Sequence, residues 1–295
     1  FKQKTAYEIG VRLVGSEMCI RDRVILANLA FIGVGLFTNE ESFLAWGWRI
    51  PFLASFILII ISLYIQLRLE DTEAFKELES LKEQNPNEDK AIKSSPILEA
   101  IRKYPKRISL AAGAFLSVQV TFYILIAFLL AYGVETTDLN RDDLLMAVLI
   151  GSAIMVPTQF YFSAYSDRNG RKGIFMAGAA LTALWAFAIF PLMASGSFIL
   201  AVLAIAVGLT FLGMMYGPQA AFFAELFSTE VRYSGASLGY QLGAIIGGSF
   251  APIIATLLWK NYDIFWVSVY IAFASTLSLI SVYMLTETFQ KDLND

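Results

Sequence analysis

Six consecutive polar residues, Asp167–Lys172, separate two long apolar stretches of the chain. Their sequence is Asp-Arg-Asn-Gly-Arg-Lys, which brings one carboxylate and three cations into a short segment. Asp167 can pair with a cation at a neighbouring helix end, and Gly170 lets the chain reverse direction. The chemistry that these residue types offer is ion pairing rather than the making or breaking of bonds. We therefore expect a charged turn between two membrane spans.

The composition agrees with a membrane protein. At 57% hydrophobic and 14% aromatic residues, with a mean hydropathy of +0.61, the chain is more apolar than a soluble domain, of which about half is apolar. One cysteine, Cys19, and the absence of His exclude disulfide frameworks, Cys/His metal sites, imidazole proton relays and Ser-His-Asp catalysis within this chain. The net charge of −3 is spread over the loops and predicts no nucleic-acid binding. We expect no metal, no cofactor and no enzymatic activity.

Hydropathy predicts one short apolar stretch and seven stretches long enough to span a bilayer, for which a helix needs about 20 residues. The short stretch is Val24–Thr38. The predicted spans are Pro51–Leu67, Ile108–Val134, Leu144–Ala164, Ile174–Ala194, Phe198–Phe223, Gly235–Trp259 and Ile264–Leu285. The fold class predicted is an all-α polytopic membrane protein.

The connections differ in charge between the two sides of these spans. The side with Arg168 and Arg171 also carries Arg232 and the basic residues 102–107, whereas the opposite connections are acidic or uncharged. In membrane proteins, Lys and Arg concentrate in the short loops on the cytoplasmic side of the bilayer. We therefore expect this side, and the tail 287–295, to lie in the cytoplasm. The polar stretch 68–107 is predicted to be a solvated linker, with a surface helix over Asp71–Gln84.

Four motifs resemble the major facilitator superfamily, and more closely its metabolite:proton symporter family. Two of them are the turn Asp167–Lys172 and the segment Ala224–Gly235, which reads AELFSTEVRYSG. The others are Trp46–Phe52 before a span and Gly247–Pro252 within one, and a long polar loop precedes the last six spans. The resemblance extends from about Val24 to the end of the chain.

The resemblance implies a major-facilitator-type fold that starts near the fifth span of a twelve-span transporter. Residues 24–67 would be the last two spans of an N-terminal bundle, 68–107 the cytoplasmic linker, and 108–286 the C-terminal six-helix bundle. Residues 1–23 have neither an apolar signal-peptide core nor helical periodicity. Lys2–Arg23 resembles a translated sequencing-library adapter, so we expect 1–23 to be a non-native leader.

The function implied by the resemblance is secondary active transport by alternating access in the bacterial inner membrane. The implied partners are a proton and a small polar metabolite, such as a dicarboxylate, a related organic acid or a zwitterionic osmolyte, and the implied state is a monomer. Alternatives are a sugar-type facilitator of the same superfamily and a membrane scaffold that transports nothing. A membrane-embedded enzyme is disfavoured because the chain has neither His nor an intramembrane carboxylate.

In the resembling family, the Asp of this turn joins charged residues at neighbouring helix ends in a cytoplasmic network that closes the inner gate. The matching positions in this chain are Asp167, Arg168, Arg171, Glu225 and Arg232. The alternative is that these charges only set topology. That alternative accounts for the basic residues but not for the acidic ones, so we favour the gate.

A repeat of small residues predicts close packing of one span against a neighbour. Glycines recur every fourth residue and fall close to one stripe of a helix, at Gly235, Gly239, Gly243 and Gly247. The stripe is compatible either with sliding contacts between moving helices or with static packing. Pro157, Pro191, Pro218 and Pro252 predict bends in or near the spans.

A substrate site at membrane depth must be built from the few polar side chains available there. The candidates are Gln119, Tyr123, Tyr216, Gln219, Tyr240 and Gln241, with Gln159 and Trp185 as weaker ones. Tyr132 and Tyr161 are predicted to lie in the interfacial aromatic belt. For each candidate tyrosine, packing with a hydrogen-bonded hydroxyl is the equally weighted alternative.

From Ile108 onward, no Asp, Glu, Lys or Arg lies near the centre of a span. A proton-coupled carrier needs a titratable group that alternates between the two sides of the membrane. The resemblance implies that this group belongs to the N-terminal bundle.

Overall fold

The computed structural model describes residues 29–35, 39–68, 96–227 and 231–288, and all regular structure within these ranges is helical. The predicted all-α membrane fold is confirmed. The chain divides into a smaller compact unit, Leu26–Glu99, and a larger one that contains Ala100–Asp295. The leader, 1–23, and the predicted helix Asp71–Gln84 lie outside the described residues.

The smaller unit is helical over residues 29–35, which is the described part of the predicted stretch Val24–Thr38. Helix α1 follows over Glu40–Ala45, then a single 3₁₀ turn over Gly47–Arg49, and then α2 over Ile50–Arg68. The predicted span Pro51–Leu67 coincides with α2. The apolar helical stretch Gly47–Ile61, which joins the 3₁₀ turn to the first part of α2, is shorter than a membrane span.

The next helix, α3, covers Pro96–Lys103, and the division between the two units falls inside it. The sequence prediction assigned this segment to a solvated linker. The structure instead has an amphipathic helix of 8 residues here, because Ile97, Leu98 and Ile101 recur at the one-, three- and four-residue spacing of a helix face.

The larger unit contains six helices that are long and apolar enough to cross a membrane. They are α4 over Pro105–Thr136, α5 over Arg141–Asn169, α6 over Arg171–Ala194, α7 over Phe198–Glu225, α8 from Arg232 to Asn261, and α9 over Ile264–Met284. These are the last six predicted spans. Most of the helices run a few residues beyond the predicted limits, because hydropathy detects the apolar part of a helix and not its polar ends.

The charged run Asp167–Lys172 contains the reversal between two spans, and all but one of its residues belong to the helices on either side. Asp167, Arg168 and Asn169 end α5, and Arg171 starts α6. Only Gly170 is non-helical, with a φ of 100°. A single residue suffices for the reversal because glycine adopts this left-handed region without a steric penalty. The charged side chains are therefore fixed on helix ends rather than on a loop.

Helix α7 lies at the centre of the larger unit and packs on α5 and α6, while α9 packs on α6 and α4, and α8 packs on α4. Fully buried aromatic rings fill the spaces between them, at Phe115, Phe175, Phe190 and Phe222. Small residues let α7 approach closely: a Cβ at Gly217 would lie 3.0 Å from the carbonyl oxygen of Gln159 on α5.

Two spans change to π-helix near their midpoints. In α4 the π turn covers Ile124–Phe128, and in α8 it covers Ala244–Ser249. The turn in α8 precedes Pro252 in the first turn of the helical segment Ala251–Asn261, which fits the missing N–H of proline. The turn in α4 carries no Pro or Gly, so the sequence gives no signal for it. Pro157, Pro191 and Pro218 lie inside continuous helices.

Candidate functional site

Arg171 lies between two carboxylates at one end of the larger unit, which we call the charged end. Its Nε atom donates to Glu225 at 2.8 Å and its Nη1 atom donates to Asp167 at 2.9 Å. The Arg171 side chain is 11% exposed and that of Glu225 is 16% exposed, whereas that of Asp167 is 45% exposed. The guanidinium therefore joins the ends of α5, α6 and α7 through one side chain, and its bond to Glu225 is the better shielded from water.

Two residues that follow the last span complete this arrangement. The carboxylate of Glu287 accepts the backbone N–H groups of Arg171 at 3.2 Å and Lys172 at 3.0 Å. These are unsatisfied donors of the first turn of α6, where the helix dipole also favours a negative charge. The hydroxyl of Thr288 donates to Glu225 at 2.6 Å. The sequence analysis missed both residues, although an acid directly after a span on the basic side was a usable signal.

Lys172 ties the C-terminal end of α9 to the same place. Its Nζ atom donates to the carbonyl oxygens of Tyr283 at 2.7 Å and Leu285 at 2.8 Å, which a helix C-terminus leaves without intrahelical partners. At the same end of the unit, Arg107 of α4 donates to the carbonyl oxygen of Leu226, just beyond α7, at 2.6 Å. Five of the six spans are thus linked at the charged end.

The predicted gate residues do not all take part. Arg168 is exposed and has no ion pair with any described residue. Arg232 starts α8, and its side chain lies outside the description. We call the residues that do interact the charged cluster: Asp167, Arg171, Lys172, Glu225, Glu287 and Thr288.

A second group of candidate residues meets between α4, α7 and α8. The hydroxyls of Tyr216 and Tyr240 lie 3.3 Å apart, and the ring of Phe115 lies 4.2 Å from that of Tyr240 and 6.4 Å from that of Tyr216. Gln219 is one helical turn from Tyr216 and only 3% exposed, and its Oε1 atom has no hydrogen-bond partner. We call Phe115, Tyr216, Gln219 and Tyr240 the tyrosine cluster.

Gln119 and Tyr123 lie against the π turn of α8. A Cβ at Gly248 would be 3.5 Å from the Nε2 atom of Gln119 and 2.8 Å from the ring of Tyr123. Tyr123 is 38% exposed, so its ring is only partly covered. Gln241 follows Tyr240 on α8 and is exposed.

The candidate residues fall on two levels of the bundle. Gln119 lies close to the midpoint of α4, whereas Phe115 lies four residues, or about 6 Å, nearer to the charged end. Tyr216 and Tyr240 are also displaced from the midpoints of α7 and α8 towards the charged end, by about 7 and 10 Å. The Gln119 pair is thus at mid-depth, and the tyrosine cluster lies between it and the charged cluster.

The predicted glycine stripe faces α4 at three of its four positions. A Cβ at Gly239, Gly243 or Gly247 would lie 2.7, 2.8 or 3.0 Å from the nearest atom of α4, so no larger residue fits without displacement. Gly235 differs, since its nearest neighbour is the ring of Phe227 at the end of α7. The regular spacing by four drifts around a helix of 3.6 residues per turn, which explains why the first glycine faces another element.

Tyr132 is a core residue and not part of an interfacial belt, so this prediction is wrong. It is 5% exposed, and its ring lies 5.2 Å from that of Trp259 and 6.1 Å from that of Phe128. The reason is that α4 continues to Thr136 and packs along its whole length. Tyr161, by contrast, is 65% exposed.

The two weaker candidates are both in helix–helix contacts. Gln159 is 2% exposed at the place where α5 meets Gly217 of α7. Trp185 donates its indole N–H to the carbonyl oxygen of Ala204 at 3.1 Å, linking α6 to α7. This bond satisfies the polar group of Trp185 within the protein.

Serine hydroxyls join α4 to α9. Ser278 accepts the backbone N–H of Ser117 at 2.9 Å and donates to the carbonyl oxygen of Gly113 at 2.7 Å, while the hydroxyls of Ser117 and Ser275 lie 2.8 Å apart. Interhelical hydroxyl bonds of this type hold membrane helices together.

Charged side chains in the six spans lie only in the first or last three residues of each helix. Within the described ranges, no group of three His, Cys, Asp or Glu side chains is arranged to hold a metal ion. The polar groups available at depth are therefore amides and hydroxyls. They can bind a small molecule by hydrogen bonds, and they offer no nucleophile with a paired base.

Residues 28–238 match the family model described as Major Facilitator Superfamily. The chain is 32% identical over 275 residues to the inner membrane metabolite transport protein YhjE of Escherichia coli, covering 90% of this chain and 60% of that protein. It is 30% identical over 268 residues to the shikimate transporter of the same organism, covering 86% and 58%. With the proline/betaine transporter of Salmonella typhimurium, it shares 27% identity over 275 residues, covering 88% and 52%.

Among solved structures, the chain resembles that of the proton:xylose symporter XylE bound to 6-bromo-6-deoxy-D-glucose. The TM-score is 0.67 at 16% sequence identity, and the match covers 95% of this chain and 64% of the symporter chain. At this identity the likeness shows the fold alone. The chain spans about three fifths of the length of the curated relatives that it matches.

Proposed function

The chain belongs to the Major Facilitator Superfamily, a family of membrane transporters and not of enzymes, and we propose that it is part of a secondary active transporter that works by alternating access. The observation that carries the proposal is the match of 90% of the chain to a metabolite transport protein. Two six-helix bundles would rock about a site near mid-depth, and the larger unit would be one of them.

The proposed substrate is a small polar metabolite: a dicarboxylate, a related organic acid or a zwitterionic osmolyte. The relatives named for shikimate and for proline and betaine support this range. The proposed contacts are the mid-depth pair Gln119 and Tyr123 and the residues Tyr216, Gln219, Tyr240 and Gln241. Gln219 is the best supported of them, since a buried amide oxygen without a partner costs about 1–3 kcal/mol unless a ligand satisfies it.

Proton coupling is proposed from the segments Asp167–Lys172 and Ala224–Gly235, which resemble those of metabolite:proton symporters. The charged residues of the six described spans all lie at helix ends. The titratable group that carries the proton across would therefore belong to another part of the transporter. The six spans would contribute substrate contacts and the machinery of the gate.

The charged cluster is proposed to be part of the inner gate, on the cytoplasmic side of a bacterial inner membrane. Arg171 and Glu287 hold the ends of α5, α6, α7 and α9 in one arrangement, so the bundle would move as a body. Basic residues at this end support the cytoplasmic orientation, which also places the C-terminal tail in the cytoplasm. The transporter is proposed to act as a monomer.

Uptake into membrane vesicles tests the proposal. The protein is expressed from its genomic locus, and vesicles are assayed with radiolabelled shikimate, proline, betaine, succinate and xylose under an imposed proton gradient. We expect saturable uptake of one compound that a protonophore abolishes. Saturable uptake of a sugar instead would favour the sugar-type facilitator, and the absence of saturable flux for every compound would favour a scaffold and overturn the proposal.

A further inference from the structure

Helix α3 presents an exposed apolar face. Ile97, Leu98 and Ile101 are 51%, 47% and 45% exposed, although each is a large aliphatic residue. At 100° per residue the three fall within an arc of about 100°, and Lys103 lies on the opposite side of the helix. Ala100, between the two sides, is fully buried.

The position of α3 along the chain fixes where this face lies. Only Tyr104 separates it from α4, a membrane span that starts at Pro105. The junction is held at the charged end, since the ring of Tyr104 lies 5.8 Å from that of Phe227 and Arg107 donates to Leu226. A helix that ends one residue before a span is tied to the bilayer surface at that end, which brings Ile101 close to the level of the lipid headgroups.

The charges around α3 suit an anionic surface. Residues 96–107 contain four cations, Arg102, Lys103, Lys106 and Arg107, against the single carboxylate of Glu99. Arg102 follows Leu98 by one turn and flanks the apolar face, where its long side chain can cover apolar surface and reach the headgroups. A helix of 8 residues, about 12 Å long, is too short to be stable alone in water, so its apolar face needs a partner.

We propose that α3 lies on the bilayer surface, with Ile97, Leu98 and Ile101 among the upper acyl chains and with Arg102 and Lys106 binding anionic phospholipid headgroups. The occupant of the exposed face is thus lipid and not a second protein. The proposal does not depend on the transport function, because it follows from the face of α3 and its attachment to a membrane span.

Quenching of a site-directed fluorophore tests where the apolar face lies. The single cysteine, Cys19, is replaced by Ser, and Ile101→Cys or, as the matched control, Lys103→Cys is labelled with a small fluorophore. The full chain is reconstituted into vesicles of phosphatidylcholine and phosphatidylglycerol. We expect brominated lipid to quench the label at position 101 several-fold more than that at 103, and aqueous iodide to show the reverse order. Equal access of iodide to both positions, or protection of position 101 from both quenchers, would overturn the proposal.

The choice of lipid is tested separately with spin-labelled phospholipids. The parent chain should immobilise phosphatidylglycerol in preference to phosphatidylcholine at low ionic strength, by roughly fivefold for each basic side chain at the surface. The combined variant Arg102→Gln, Lys106→Gln should lose most of this preference, while Lys260→Gln, which removes a cation at the opposite end of α8, should keep it. No preference in the parent, or an unchanged preference in the combined variant, would contradict the role of these cations.

Discussion

Replacing Arg171 by Gln should destabilise the larger unit by an amount that the geometry of the charged cluster allows us to calculate. The bond from Arg171 to Glu225, at 2.8 Å, lies in a region where both side chains are mostly buried. A hydrogen bond to a charged group in such a place contributes about 1.5–3 kcal/mol. The pair with Asp167, which is 45% exposed, adds only about 0.3–0.5 kcal/mol.

Thr288 reduces the loss, because its hydroxyl remains bonded to Glu225 at 2.6 Å after the substitution. The net destabilisation is then about 2 kcal/mol, or roughly 30-fold in the unfolding equilibrium. The corresponding shift in the midpoint of thermal unfolding is on the order of 5 °C. The assay is intrinsic tryptophan fluorescence of the purified full chain in detergent during heating.

Arg168→Gln is the matched control, since it removes the same charge from the same helix connection, at an exposed position without an ion pair. We expect a shift of less than about 0.5 kcal/mol for it. Arg171→Lys should fall between the two, because an ammonium keeps the charge but cannot reproduce the planar fork that reaches both carboxylates. If Arg168→Gln and Arg171→Gln lowered the midpoint equally, the residues would act only through their charge, and the cluster would not be a structural unit.

Four further predictions concern single positions. Asp167→Asn should insert normally and lower uptake, as measured in vesicles; normal insertion with the parental rate would refute its role in the gate. Glu287→Gln removes the negative charge at the first turn of α6 and should lower the free energy of unfolding by about 1–2 kcal/mol, measured by thermal unfolding. Glu135→Gln, at the opposite end of the unit, should have no measurable effect. Equal shifts for the two variants would contradict the role of Glu287 at the start of α6. Gly243→Ala should destabilise the protein by about 1–3 kcal/mol, because its Cβ would lie 2.8 Å from atoms of α4. Gly173→Ala, whose Cβ would meet nothing within 4 Å, should be neutral or stabilising. The opposite order would show that α8 is not packed closely on α4. Gln219→Leu should raise the unfolding midpoint, since it removes a buried oxygen without a partner, and should lower uptake; a variant that is less stable than the parent or transports normally would contradict a substrate role.

The spans could be predicted from sequence because each is a run of apolar residues longer than a soluble core helix needs. The ends of the spans could not, and Asp167–Asn169 illustrates why: a polar residue at the bilayer surface can continue a helix or leave it, and hydropathy does not distinguish the two. The family motifs predicted a network that includes Asp167, Arg171 and Glu225, and in the structure Arg171 bonds to both carboxylates. They gave no indication of Glu287, because its contact with α6 joins residues 116 positions apart and depends on how α9 packs.

The depth of the candidate substrate residues illustrates a second limit. Counting residues along each span correctly groups Gln119 with Tyr123, since both lie on the same helix. It does not reveal that Tyr216 and Tyr240 approach to 3.3 Å, which requires the relative heights of α7 and α8. Tyr132 was misplaced for the same reason, because its burial is caused by Trp259 and Phe190 on other helices. The π turn in α4 has no local sequence signal, and packing against α8 and α7 is what remains to account for it.

Entrance counterflow tests the central claim, that this chain is part of a carrier working by alternating access, most directly. Proteoliposomes containing the protein expressed from its genomic locus are loaded with unlabelled substrate and diluted into a trace of labelled substrate, with no proton gradient. A carrier exposes its site to one side at a time, so we predict a transient accumulation of label above the equilibrium level that then decays. Label that rises steadily to equilibrium, as through a pore, or that does not enter at all, would contradict the account.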